Sequence, residues 1–163
     1  MLREQLTMSD SPAPSEQQLQ ETAEACCKAM LKGDGLTNAL DIVIERVAHC
    51  SSELSMTIQD WMTNGHKTCH GGMIFSLADS AFAYACNTEN QPNVAASVSI
   101  DYLNAAFAGD KLTASAQKTF QRGRTGIYDV RVENQKGELI ALFRGKSARI
   151  PGVIIPGSDI TKN

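Results

Sequence analysis

Apolar residues Leu19, Ala23, Cys26, Cys27, Met30 and Leu31 recur at intervals of three and four, and Ser15 with Gln18 forms a capping-box pair just ahead of them. This spacing predicts an amphipathic helix that stops at Gly33 and Gly35. From Ala39 the period falls to two. Leu40, Ile42 and Ile44 share one face, Val43, Glu45 and Val47 the other, and the β-branched content predicts a strand. After a turn near Ser51 and Ser52, Leu54, Met56 and Ile58 alternate with Ser55 and Thr57, which predicts a second strand and hence a hairpin.

The stretch NGHKTCHGG, Asn64 to Gly72, breaks both periods and reads as a loop. It leads into MIFSLADSAFAYACN, Met73 to Asn87, where Phe75, Leu77, Ala78, Ala81, Phe82 and Ala85 cover more than half of a helix circumference and Asp79 is the only charged side chain. Such a helix is expected to be buried. Alternating runs follow at Val94–Asn104, Lys111–Gln121, Thr125–Asn134 and Leu139–Ile150, separated by the short segments AFAGD, RGR and QKG, which suit consecutive antiparallel strands. The expected class is α+β, with one apolar helix wrapped by an antiparallel sheet.

Length and composition narrow the picture further. At 163 residues the chain has room for one domain, expected over 15–150, with a polar tail over 1–14 and a proline-containing tail over 151–163. The formal charge of -3 provides no basic field for nucleic acid, and the longest apolar run, Ala81 to Cys86, is far too short to span a membrane. With no secretory h-region in the first residues, the expected location is the cytoplasm. Five cysteines without a C-x-x-C pair are expected to be reduced thiols.

Asp79 carries the sharpest chemical signal, because a carboxylate within an apolar helix is costly to bury without a reason. It reads either as a structural side chain bonded to neighbouring backbone or as a general base or nucleophile in a dry cleft. His70-Gly71-Gly72 stands where loop becomes helix, so its free N–H groups and the helix dipole can polarise a carbonyl oxygen, and glycine lets that carbonyl approach. His66, Cys69 and His70 have ligand chemistry but no recognised metal spacing, so no metal and no cofactor is expected. A Cys69-His70 nucleophilic pair is disfavoured, since adjacent residues in an extended loop point apart. Arg122, Arg124, Arg144, Lys146 and Arg149 gather late in the chain, either as a phosphate-binding rim or as solvated strand ends.

The segments NGHKTCHGGMIFSLADSAFAYACN, Asn64 to Asn87, and FRGKSARI, Phe143 to Ile150, closely resemble the phenylacetic-acid-degradation (PaaI) thioesterases of the hotdog-fold acyl-CoA thioesterase superfamily. The resemblance runs from about Ala39 to Ile150. It implies a hotdog fold, dimers joined edge to edge and usually paired into homotetramers, and hydrolysis of acyl-CoA, with phenylacetyl-CoA and its hydroxylated derivatives as favoured substrates. It puts Asp79 at the position of the catalytic carboxylate, Gly71 at the polarising amide, and His70 and Asn64 at supporting polar positions. Gly33 aligns with an asparagine that relatives often carry. A non-catalytic acyl-CoA-binding module on the same fold is the alternative, and it predicts binding without turnover. A hotdog hydratase is disfavoured because no histidine shares the Asp79 helix.

Spacing adds a point of its own. On one continuous helix, Gly71 and Asp79 would stand roughly 12 Å apart at ~1.5 Å per residue, too far to serve one thioester. A two-fold dimer with antiparallel helices would bring Gly71 and His70 of one protomer to Asp79 of its mate, giving two composite sites.

Overall fold

The computed structural model describes residues 13–157, so most of the expected N-terminal tail and the last six residues of the C-terminal one lie outside the described residues. Helix α1, Glu16–Leu31, begins at the expected cap: the Ser15 hydroxyl accepts from Gln18 N–H while the Gln18 side chain accepts from Ser15 N–H. A short helix α2, Gly35–Ala39, follows where the sequence predicted a break. Asp34 caps it by accepting from both the N–H and the hydroxyl of Thr37, so Gly35 opens a helix here.

Six strands follow: β1, Val43–Ala48; β2, Ser51–Thr57; β3, Asn93–Tyr102; β4, Lys111–Arg122; β5, Thr125–Glu133; and β6, Leu139–Arg149. They form one antiparallel sheet in the order β1-β2-β4-β5-β6-β3. Helix α3, Gly71–Cys86, lies between β2 and β3 in sequence and packs across the sheet. Leu77, Ala78, Ala81, Phe82 and Ala85 meet Leu54, Met56, Leu112, Val130, Val132, Ile140 and Phe143 in a single core.

Two expectations need correction. The strand predicted from Ala39 starts only at Val43, because Leu40 ends α2 and Ile42 N–H bonds back to Thr37 O across the turn. The predicted face assignment also fails along β1. Ile44 pairs with Leu54 and Arg46 with Glu53, so Glu45 is an extra residue, and this bulge turns Val47 inward although Val43 stays exposed.

The two sheet edges are unlike. Helix α1 lies against β1, and Gln20 Nε2 donates to Val47 O. At the other edge, β3 has ten residues, is paired on one side only among the described residues, and exposes nearly all of its side chains. A long uncovered edge of this kind is a template for another strand. Beyond β6 the chain runs over the surface and is pinned where Ile154 and Ile155 N–H groups donate to the buried Asn90 Oδ1. All five cysteines are free thiols, as expected.

Gly145 sets the closeness of helix to sheet. A Cβ there would come within 2.7 Å of the Phe82 ring, which is itself buried and edge-on to Tyr128. Gly145→Ala is therefore expected to lower unfolding free energy by roughly 1–3 kcal/mol, measured by urea denaturation. An unchanged midpoint would show that Phe82 can yield.

Candidate active site

Loop becomes helix within the expected His70-Gly71-Gly72 step, two residues ahead of Met73, for Gly71 and Gly72 are the first two residues of α3 and His70 is its N-cap. His70 Nδ1 accepts from Gly72 N–H at 2.9 Å, and His70 O accepts from Met73 N–H at 2.9 Å. Gly71 N–H bonds to none of the described residues. Of the two glycine amides, Gly71 is thus the one left to donate to a ligand. Because Nδ1 is an acceptor, the remaining proton of a neutral His70 ring sits on Nε2.

The preceding loop is held by its own side chains. Asn64 Oδ1 accepts from the N–H of His66 at 2.9 Å and from Thr68, and Thr63 and Cys69 form a bridge across the base. Backbone bonds from His70 N–H to Met62 O and from Cys69 N–H to Ala106 O fasten it to the neighbouring segments. Burial pushes the Cys69 thiol up to about 11, with the nearby Asp110 adding to the effect, so this cysteine is a poor nucleophile near neutral pH.

A groove of about 430 Å³ opens beside this helix start, between Thr68, Gly71 and Ile74 on one side and the end of β3 with its following loop, from Tyr102, on the other. Tyr102 donates its hydroxyl to Gly71 O at 2.9 Å. Sequence reasoning missed Tyr102, which sits at the end of an ordinary alternating strand. Its relation to Gly71 spans 31 residues and exists only in the folded chain.

Asp79 lies on the same continuous helix, half-buried, and burial raises its pKa. Its carboxylate accepts no hydrogen bond and joins no ion pair among the described residues, so no described backbone group of its own chain satisfies it. Standing eight positions along the helix, it lies roughly 12 Å along the axis from Gly71 at ~1.5 Å per residue. Gly72, Ser76, Asp79 and Ala83 make a half-buried stripe down α3. The helix expected to be buried all round is therefore covered by its own sheet on one side and left partly open along this stripe of mostly small residues.

The five late basic residues are not together at the helix start. Arg144 and Lys146 lie exposed on β6, and Arg144 grips Asp129 through two nitrogens. Arg122 and Arg124 flank the β4–β5 turn, where Arg124 donates twice to Arg149 O. Arg149 faces Glu89 at 3.8 Å. From Ile140, at the Tyr102 end of β6, to Arg149 is roughly 30 Å at ~3.3 Å per residue. Within one chain, the hairpin and Arg149 stand at the opposite end of the sheet from the groove.

His49, Cys50 and Glu89 are the described residues whose ligand atoms come close enough to suggest a metal, within 4.8 Å of one another. Glu89, although partly buried, is held below the ordinary glutamate range by His49, Lys118 and Arg149, so its charge is already matched by side chains. Gly33 sits in the α1–α2 connection with open space around it, and its neighbour Asp34 accepts from the hydroxyl of Tyr84, five residues past Asp79 on α3.

Comparison with known proteins agrees with this architecture. Residues 66–141 match the thioesterase superfamily model. The chain is 48% identical over 126 residues to the acyl-coenzyme A thioesterase PaaI of Escherichia coli K12, an alignment covering 77% of this chain and 90% of that protein. It is 29% identical over 125 residues to mouse acyl-coenzyme A thioesterase 13, covering 72% of this chain and 86% of that protein. Among solved structures, E. coli PaaI from the phenylacetic acid degradation operon superposes with a TM-score of 0.81 at 46% identity, covering 83% of this chain and 98% of that one. An asparagine-to-aspartate mutant of the phenylacetic acid degradation protein PaaI from Thermus thermophilus gives 0.69 at 35% identity, covering 72% and 100%. With the helix-wrapping sheet, the His-Gly-Gly helix start and these alignments taken together, the chain belongs to the hotdog-fold thioesterase superfamily, as an enzyme of its PaaI acyl-CoA thioesterase family.

Proposed function

We propose that this enzyme hydrolyses aryl-acetyl thioesters of coenzyme A, of the phenylacetyl-CoA type, at composite sites shared between two protomers. One observation carries the catalytic reading: a half-buried carboxylate, Asp79, rides on the helix whose first amide is Gly71 N–H, and neither group has a partner among the described residues. The Gly71 amide receives the thioester oxygen as it becomes an oxyanion. Burial makes Asp79 a stronger base than an ordinary aspartate, suited to taking a proton from the attacking water. The C–S bond then breaks, and coenzyme A leaves as the thiol once the proton is returned to sulfur. Asp79 as nucleophile reaches the same products through an anhydride that water opens. Single-turnover hydrolysis in labelled water separates the two, since only the anhydride route can pass label through the Asp79 carboxylate. His70 and Asn64 support the site by fixing the helix start and its loop.

The open β3 edge supports the shared site. Edge-to-edge pairing of two β3 strands about a two-fold axis joins the sheets and sets the α3 helices antiparallel, each half-buried Asp79 stripe facing its mate. The same operation carries the Arg122–Arg149 end of one protomer toward the groove of the other. Phosphates of coenzyme A would then meet basic groups from across the interface. Two such dimers form the proposed homotetramer.

A panel of aryl and straight-chain acyl-CoA thioesters, followed by free-thiol release, tests the substrate assignment. Aryl-acetyl thioesters should give the highest kcat/KM, a straight-chain preference would reassign the acyl group, and binding without turnover would support a non-catalytic module. For the rim, Arg122, Arg124 and Lys146 are exposed and have no carboxylate partner among the described residues, whereas Arg144 and Arg149 are paired. Alanine at one or more of these three should raise KM severalfold with little change in kcat, and Arg144→Ala should leave KM unaltered. If none of the five single variants moved KM, the rim would have to be abandoned.

A further inference from the structure

We infer that Tyr102 is a positioning residue for the oxyanion donor, tying the open edge of the sheet to the Gly71 amide. The inference rests on the reading of Gly71 N–H as that donor. An amide at the first position of a helix is held by no intrahelical bond of its own, and glycine has the widest backbone freedom of any residue. The aim of Gly71 N–H therefore depends on how its neighbours are fixed. On one side, His70 caps the helix by accepting from Gly72 N–H at 2.9 Å. On the other, the Tyr102 hydroxyl donates to Gly71 O at 2.9 Å, adding to the bond that an α-helix already brings to this carbonyl.

The ring acts as well as the hydroxyl. A Cβ at Gly71 would meet Tyr102 Cζ at 3.1 Å and the hydroxyl oxygen at 3.2 Å, so ring and glycine are fitted to one another. Tyr102 also lines the groove beside Gly71. It remains 49% exposed, so it contributes little as a core residue, and the geometry leaves the carbonyl bond as its distinctive feature. Its place as the last residue of β3 gives that bond a further consequence. Pairing the β3 edge with a second protomer stiffens the strand that carries Tyr102, and through Gly71 O this stiffness reaches the amide that polarises the thioester. Assembly and oxyanion binding are thereby linked by one side chain.

The test uses full-length protein and the acyl-CoA thioester turned over fastest in the panel. Tyr102→Phe keeps the ring and removes only the hydroxyl. It is expected to lower kcat by roughly five- to tenfold, the scale of one lost hydrogen bond, with KM within about twofold and oligomeric mass unchanged. Gly71→Pro, run beside it, tests the donor reading on which the inference rests and should abolish turnover. An unchanged kcat in Tyr102→Phe, or a change confined to KM, would overturn the inference, and full turnover in Gly71→Pro would overturn it together with the donor reading. Asp79→Asn, run beside these variants, separates the positioning role from the catalytic reading beneath it. An inactive Asp79→Asn with an unimpaired Tyr102→Phe defeats Tyr102 alone, whereas full turnover by Asp79→Asn defeats the catalytic reading whatever Tyr102 does.

Discussion

Asp79→Asn is expected to lower kcat for thioester hydrolysis by at least about a hundredfold, the usual scale for losing a positioned base, while leaving a folded protein at least as stable as the parent. The two halves of the expectation have one cause. Asp79 is half-buried, burial raises its pKa, and no described residue stabilises its charge. Its charged form is thus a liability to the fold and an asset to the reaction. In the unfolded chain the carboxyl titrates in the ordinary aspartate range, whereas in the folded chain it holds its proton to higher pH. Stability should therefore decline as pH rises from the ordinary aspartate range through the raised folded value, then level off, and Asp79→Asn should remove that decline. The acid limb of kcat/KM should likewise sit above the ordinary aspartate range. Thermal unfolding and initial rates across acid pH measure both. Lost stability together with lost activity would mark Asp79 as structural, and near-native turnover by the asparagine variant would remove it from the mechanism.

Two inactive variants are expected to restore each other when mixed. Asp79→Ala lacks the carboxylate, and Gly71→Pro lacks the donor amide. Proline suits this position, because it is the first residue of α3, and His70 before it already has φ -63° and ψ 131°, the extended backbone that precedes proline without strain. The added ring crowds Tyr102, whose half-exposed side chain can shift. Each homodimer of these variants is defective at both shared sites. A heterodimer has one site lacking both groups and one site with both intact. Random exchange of equal amounts makes about half of the dimers mixed, so roughly a quarter of parental activity should return if sites are independent. Subunit exchange is verified separately by tagged pull-down, so that failed mixing is not mistaken for failed complementation. Exchange with no recovery would sink the shared-site arrangement, as would a liganded structure in which Gly71 N–H and Asp79 of one chain flank the same thioester.

Much of this was legible in the chain itself. The α1 cap, the strand order in sequence, the apolar α3 and the chemical oddity of Asp79 all depend on neighbours within a few residues, where periodicity and capping are decided. The errors lie where a local rule was outweighed. Gly33 and Gly35 read as a stop, and α1 does end at Leu31, but the short second helix that Asp34 caps with Thr37 was missed. The β1 alternation was read without its bulge, because one extra residue at Glu45 becomes visible only against β2. Gly71 and Gly72 resembled loop because glycine is a poor helix former, but at a first turn capped by His70 that penalty matters little.

Sequence by itself determined which residues have chemistry to offer: a costly carboxylate, a glycine-rich helix start, and strands enough to wrap one helix. Tertiary structure alone decided how they are arranged. Among the described residues it left Asp79 and the Gly71 amide without a partner and β3 paired on one side only, while His70 occupied the Gly72 amide, Tyr102 was set on Gly71 and α1 covered β1. The physical reason is distance along the chain. Periodicity and capping act over a few residues, whereas hydrogen-bond satisfaction, edge exposure and burial are properties of groups brought together from far apart, and they acquire values only once the sheet has closed around the helix.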